Sequence, residues 1–149
     1  MKKYFKIILS VVSAFLLMSC GVSEKYSFQE ENIYFKLKIK EKYEVDKILY
    51  DDNKAYHYDV IFNGKVLSIY LHKKSIKDIY KECNIVLLED KNLYIVECGK
   101  KENGANYLKD FFVERKIKDN YIVFRPYNEN SEEIEFLLQK IKEIEIIEK

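Results

Sequence analysis

Tryptophan is missing from this chain, proline occurs once, histidine twice and glycine four times in 149 residues. Gly64, Gly99 and Gly104 each stand alone, which excludes a phosphate-cradling glycine loop and a nucleophile elbow. So little proline and glycine also leaves no stretch suited to a flexible linker between domains. Three cysteines occur, none in a Cys-x-x-Cys pair, so a dithiol redox motif is absent. Arginine appears twice against 24 lysines, and the formal net charge is only +1. Without a basic excess, and without tryptophan or a dense basic patch beside exposed aromatics, nucleic-acid binding has no support. What is plentiful is core material: 48% hydrophobic residues, with 13 Tyr and 9 Phe, enough to fold one modest domain.

The start of the chain carries the most specific pattern. Residues 1–6, MKKYFK, are positive, and the apolar stretch Ile7 to Met18 spans 12 residues. An ordinary membrane helix needs about 20, so this reads as a secretion signal over residues 1–19. It ends in Leu17-Met18-Ser19-Cys20 followed by Gly21, and this resembles the lipobox of bacterial lipoproteins. Met18 departs from the smaller or branched residue commonest at that place. The resemblance implies that the leader is cut before Cys20, that Cys20 carries a diacylglyceryl thioether, and that its amino terminus can take a further palmitate-like chain. Two or three acyl chains anchor stably, since each buried methylene contributes roughly 0.8 kcal/mol. The expected protein is therefore extracytoplasmic and lipid-anchored at the cell membrane. Residues 20–25 form the lipidated cysteine and a short tether, and 26–149 a single domain. Lys2, Lys3 and Lys6 leave with the leader, so the remainder carries a formal charge of −2.

From Tyr34 to Lys42 the sequence alternates, with Phe35, Leu37 and Ile39 on one face and Lys36, Lys38, Lys40 and Lys42 on the other. That pattern predicts a half-buried strand. Its lysine row suits anionic headgroups or an acidic partner, and equally a solvated strand face or guarded sheet edge. Asn63-Gly64 between Tyr56–Phe62 and Lys65–His72 predicts a tight hairpin, because both turn residues must take positive φ. That register sets Phe62 against Lys65, Val60 against Leu67, Tyr58 against Ile69 and Tyr56 against Leu71 on the core face. Ser75 to Glu82 reads as a helical turn or two, capped by Ser75 with Asp78 three residues on.

Ile85–Leu88 and Leu93–Cys98 form a second expected hairpin, with Leu88 opposite Leu93, Ile85 opposite Val96, and Cys83 opposite Cys98. Phe111–Lys118 and Tyr121–Arg125 suggest a third, turning at Asp119-Asn120, although a helix over 105–117 also fits the spacing of Leu108, Phe111, Phe112 and Arg115. After Pro126, Asn130 or Ser131 caps a final helix whose apolar positions are Ile134, Leu137, Leu138, Ile141 and Ile144. The expected fold is α+β: an antiparallel sheet of five to seven strands built from hairpins, with the C-terminal helix packed on one face. In element order this resembles small bacterial lipoproteins of the Mog1/PsbP-like shape.

Few side chains can carry chemistry. Cys83 and Cys98 are the thiols left once Cys20 is lipidated, and an extracytoplasmic location favours a disulfide between them; buried free thiols are the alternative. His57 and His72 share the outer face of the Asn-Gly hairpin with Asp59, Ser68 and Tyr70. Two imidazoles and a carboxylate invite metal binding or proton transfer. A solvated polar sheet face gives the same pattern, and no recognised metal spacing supports a metal or other cofactor. Asp51-Asp52, Glu89-Asp90 and Glu132-Glu133 fall at turns or a helix start, where acids are expected for structural reasons.

The reading that follows is a non-enzymatic binding or inhibitory module at the cell envelope, with membrane lipid at Cys20 and an envelope protein or small ligand as partners. A small metal-dependent or acid/base enzyme using His57, Asp59 and His72 is the first alternative, and a structural envelope component the second.

Overall fold

The computed structural model describes residues 24–28, 32–50, 55–99, 108–127 and 130–149. Cys20 with its leader, the Asp51-Asp52 pair and the polar stretch 100–106 lie outside the described residues.

The chain divides into two compact units. The first contains the chain up to Lys38 and from Glu145 onward. It is a three-stranded sheet in the order β1 (Lys25–Phe28), β2 (Ile33–Leu37) and β10 (Ile144–Glu148). β1 and β2 are antiparallel, with Lys25 opposite Lys36 and Ser27 opposite Tyr34. Ile33, Phe35 and Leu37 are buried, as their alternation requires. The strand ends at Leu37 and does not run on to Lys42. Lys36 and Lys38 therefore belong to this unit and Lys40 and Lys42 to the other, so the four lysines do not form one strand face. Lys38 pairs with Glu145 at 3.1 Å.

The second unit, Ile39–Ile144, is built on a seven-stranded antiparallel sheet. Its strands are β3 (Glu44–Tyr50), β4 (Ala55–Phe62), β5 (Lys65–His72), β6 (Asn84–Leu88), β7 (Leu93–Cys98), β8 (Leu108–Ile117) and β9 (Asn120–Tyr127). Their order in space is β3-β4-β5-β9-β8-β7-β6, which leaves β3 and β6 as edges. Asn63 and Gly64 both have positive φ, at 48° and 78°, and hold the β4–β5 register at Phe62↔Lys65, Val60↔Leu67 and Tyr58↔Ile69. The β6–β7 hairpin likewise pairs Leu88 with Leu93 and Ile85 with Val96.

One open alternative is resolved in favour of the hairpin, and two local expectations change. Residues 108–117 are strand, since Phe112 and Val113 bury on opposite faces of a central β8. The β8–β9 turn is Lys118-Asp119, one residue earlier than expected, with Lys118 at φ 48° and Asn120 buried as the first residue of β9. Ile144 leaves the helix and starts β10, where its neighbours Ile146 and Ile147 add β-branched residues that favour strand over helix. With ten strands and one substantial helix among the described residues, the architecture is mostly β, not the balanced α+β expected.

That helix, α2 (Ser131–Lys142), covers one sheet face. Asn130 caps it, its side chain accepting from the Glu132 amide at 3.0 Å. Ile134, Leu137, Leu138 and Ile141 are buried, above Val60, Phe62, Leu67, Ile69, Ile122 and Phe124 from the sheet. Phe136 meets Phe62 edge-on, and the Arg115 guanidinium donates to the carbonyls of Ile141 and Ile144 where the helix ends. Lys140 is the exception on the apolar stripe. Its stem is covered by near neighbours, and its ammonium reaches Glu41 at 2.5 Å and Glu143 at 3.0 Å. The hydrogen bond from Lys140 holds Glu41 below the usual carboxylate range. Removing the cap in Asn130→Ala should lower stability by about 1 kcal/mol, read as an earlier urea midpoint at unchanged slope.

Candidate functional site

The opposite face of the seven-stranded sheet carries every histidine and most of the polar side chains singled out above. Half of it is covered by the connection between β5 and β6. There Ser75 caps the short α1 (Ile76–Ile79), and the Ile76 amide donates to Glu114 on β8 at 2.6 Å. Ile76 packs with Val96, Phe112 and Val123 in a second, smaller core, with Tyr80, Cys83 and Cys98 against it. Cys83 and Cys98 are joined by a disulfide with Cα atoms 4.8 Å apart.

The other half, over β3, β4 and β5, holds the polar group. His57, Asp59, Ser68 and Tyr70 come together there, because Asp59 is paired with Ser68 across β4 and β5. Asp59 is the hub. Ser68 donates its hydroxyl to Asp59 Oδ1 at 2.6 Å, and His57 Nε2 lies 3.0 Å from the same oxygen. His57 is flanked by Tyr50 on β3 at 5.0 Å and Tyr70 on β5 at 4.6 Å, both rings stacked on the imidazole. Its Nδ1 is buried without a hydrogen-bond partner. His72 stacks on Tyr70 at 5.7 Å, so both imidazoles contact the tyrosine ring.

This arrangement differs from a nucleophilic triad. A triad needs the imidazole between hydroxyl and carboxylate, so that it can accept the hydroxyl proton. Here the hydroxyl and the imidazole both donate to one carboxylate oxygen, and Ser68 is 1% exposed. Among the described residues no group of three His, Cys, Asp or Glu side chains is placed to share a metal ion. Cavities lined by described residues include one of about 250 Å³ beside Arg115 and the end of α2 and one of about 260 Å³ beside the Asn63-Gly64 turn. Neither is lined by His57, Asp59, Ser68, Tyr70 or His72.

Two residues that matter on this face have no signal in the sequence. Arg125 on β9 stands opposite Ser68 and donates to Asp110 Oδ1 through Nε at 3.2 Å and Nη2 at 2.7 Å. Burial works against its charge, but the hydrogen bond and charge of Asp110, with a further hydrogen bond from the guanidinium to the Tyr70 oxygen, leave its pKa raised. Asp110 lies on β8, 15 residues away in sequence. Pairing them needed the β8–β9 register, and a turn misplaced by one residue shifts each cross-strand partner by two.

Burial lowers the pKa of His72 from its ordinary 6.5. The unfolded chain then binds this proton more readily than the native one, so stability contributed by the neutral ring is lost as pH falls below about 6.5. His72→Gln should flatten that part of the stability-against-pH curve, measured by urea titrations between pH 7.5 and pH 5.

No family model, curated protein or solved structure matches this chain. No helix among the described residues is long and apolar enough to cross a membrane.

Proposed function

We propose that this protein is an extracytoplasmic lipoprotein, anchored through Cys20, that acts as a non-enzymatic binding or inhibitory module at the cell envelope. The observation that carries the binding reading is the edge strand β3. Its free edge ends in Ile48, Leu49 and Tyr50, exposed by 37%, 50% and 38%, beside a polar cluster whose donors are turned inward. An unpaired strand with consecutive exposed apolar residues is a template for adding a partner strand. The enzyme alternative loses its footing in the same place, since Ser68 and His57 are committed to Asp59. The Mog1/PsbP-like resemblance belongs to this proposal too, and the antiparallel sheet with its C-terminal helix supports it.

Two measurements test it. Cells expressing the full chain should incorporate labelled palmitate into it, and Cys20→Ala should lose both the label and retention in the membrane fraction. A wild-type chain that never takes the label would overturn the anchor. A photo-cross-linker at Leu49 should capture one envelope component reproducibly, and the same group at exposed Lys109 should not. Equal capture at both positions would count against β3 as the binding edge.

A further inference from the structure

β1 and β2 are paired so that Lys25 stands directly opposite Lys36, with Ser27 opposite Tyr34 on the same face. Just after β10, the Lys149 ammonium lies over the Tyr34 ring at 5.3 Å. Like charges directly opposite on a sheet are destabilising unless an anion lies between them. Neither Lys25, Lys36 nor Lys149 has an ion-pair partner for its ammonium among the described residues. Two neighbouring acids are engaged elsewhere: Glu145 with Lys38, and Glu24 with the Tyr26 hydroxyl, on the opposite face of β1. Among the described residues, three ammonium groups without an ion-pair partner therefore lie around one tyrosine. Tyrosine is the aromatic that sits comfortably at the water–lipid boundary, with its hydroxyl toward the headgroups.

We propose that this face of the small sheet is a docking surface for an anionic phospholipid layer. The inference rests on the reading of Cys20 as a lipid anchor, and the chain itself supplies the geometry. Five residue steps separate Cys20 from Lys25, at most roughly 18 Å of extended chain. An anchored chain thus cannot take β1 far from the headgroups. The negative potential of an anionic surface falls off within a Debye length of about 8 Å, a distance well inside the reach that the tether allows. Each lysine brought to such a surface should tighten adsorption about fivefold. Lysines 40 and 42 lie in the other unit and are not part of the surface.

The test uses the full chain made with its own leader, extracted in detergent and reconstituted with vesicles of phosphatidylcholine alone or of equal parts phosphatidylcholine and phosphatidylglycerol. Acylation of each lysine by an amine reagent is followed by peptide mass spectrometry. Lys25 and Lys36 should react about fivefold more slowly on the anionic vesicles at low salt, and the difference should vanish in molar salt. Exposed Lys81, which follows α1, should react equally on both. Equal rates for Lys25 and Lys36 on both vesicles would overturn the docking surface. Flotation separates this from the anchor. An acylated chain floats with both vesicle types whether or not the face docks. A chain without acyl groups that floats only with anionic vesicles, and no longer does as Lys25→Gln/Lys36→Gln, keeps the docking surface and sinks the anchor. A chain that floats with neither overturns both. Circular dichroism of the double variant, unchanged from wild type, checks that the sheet is intact.

Discussion

Asp59→Ala is expected to lower folding stability by about 2–4 kcal/mol. The reason is that one carboxylate oxygen serves two donors that cannot turn to water. The Ser68 hydroxyl is buried in the middle of β5, and His57 is enclosed between two tyrosine rings. Each donor left without an acceptor costs roughly 1–3 kcal/mol, more than the net worth of the bond it made. Ser68→Ala should cost less, about 1 kcal/mol, because it removes the donor along with the bond. The double variant should then be less destabilised than the two single effects imply, with a coupling of about 0.5–3 kcal/mol in a urea-based cycle. Strict additivity would mean that Asp59 is not the shared acceptor. Asp59→Asn keeps an acceptor oxygen but loses the charge, and should fall between wild type and Asp59→Ala.

That expectation separates the two functional readings. A catalytic carboxylate is held in a strained or partly satisfied state, and its removal commonly costs activity more than stability. Asp59 is placed the other way round. It satisfies buried donors, so its loss should be felt first in folding. The exposed apolar side chains of this unit include Ile48, Leu49 and Tyr50, and Tyr127, stacked under Arg125 at 4.5 Å.

The elements legible in the sequence are those whose faces differ sharply in environment. β4 and β5 alternate because one face packs under α2, and the Asn-Gly turn leaves only one register. α2 shows its apolar stripe and its Asn130 cap for the same reason. β3 was illegible because almost nothing on it is buried. Its sequence EVDKILY has no alternation to read, and its place in the sheet comes from backbone pairing with β4 and surface contacts such as Tyr50 on His57. β1 has four residues, too few for a period. β10 continues the isoleucine spacing of α2 through Ile144, so the helix-to-strand change is hidden until the Arg115 guanidinium is seen capping the helix end. The β8–β9 turn misled because Asp-Asn is the commoner turn pair, whereas here Lys118 takes the positive φ and Asn120 is buried. The candidate site followed the same division. Four of its members came together because they share one well-specified hairpin, while Arg125 and Asp110 depended on a turn placed one residue off, which moves each partner by two.

Reducing the Cys83–Cys98 bond is the other change expected to be large. The cysteines are 15 residues apart and close the β6–β7 hairpin onto the segment that carries α1. In the chain-entropy account, a loop of this length restricts the unfolded chain enough to stabilise by about 3 kcal/mol. Cys83→Ser/Cys98→Ser, or a reductant, should therefore bring the urea midpoint down by that amount at the measured slope. The loss should be uneven across the molecule. β6 is an edge strand held only by β7, and α1 contributes a single buried residue, Ile76, to the small core with Val96, Phe112 and Val123. Hydrogen exchange in the reduced chain should accelerate first in β6 and at the Ile76 amide bonded to Glu114. The β4, β5 and β9 amides, paired on both sides and covered by α2, should keep most of their protection. Uniform acceleration would mean that the sheet opens as one cooperative unit, with the disulfide acting on its global stability alone. A reduced chain with unchanged midpoint would show that the smaller core holds without the bond.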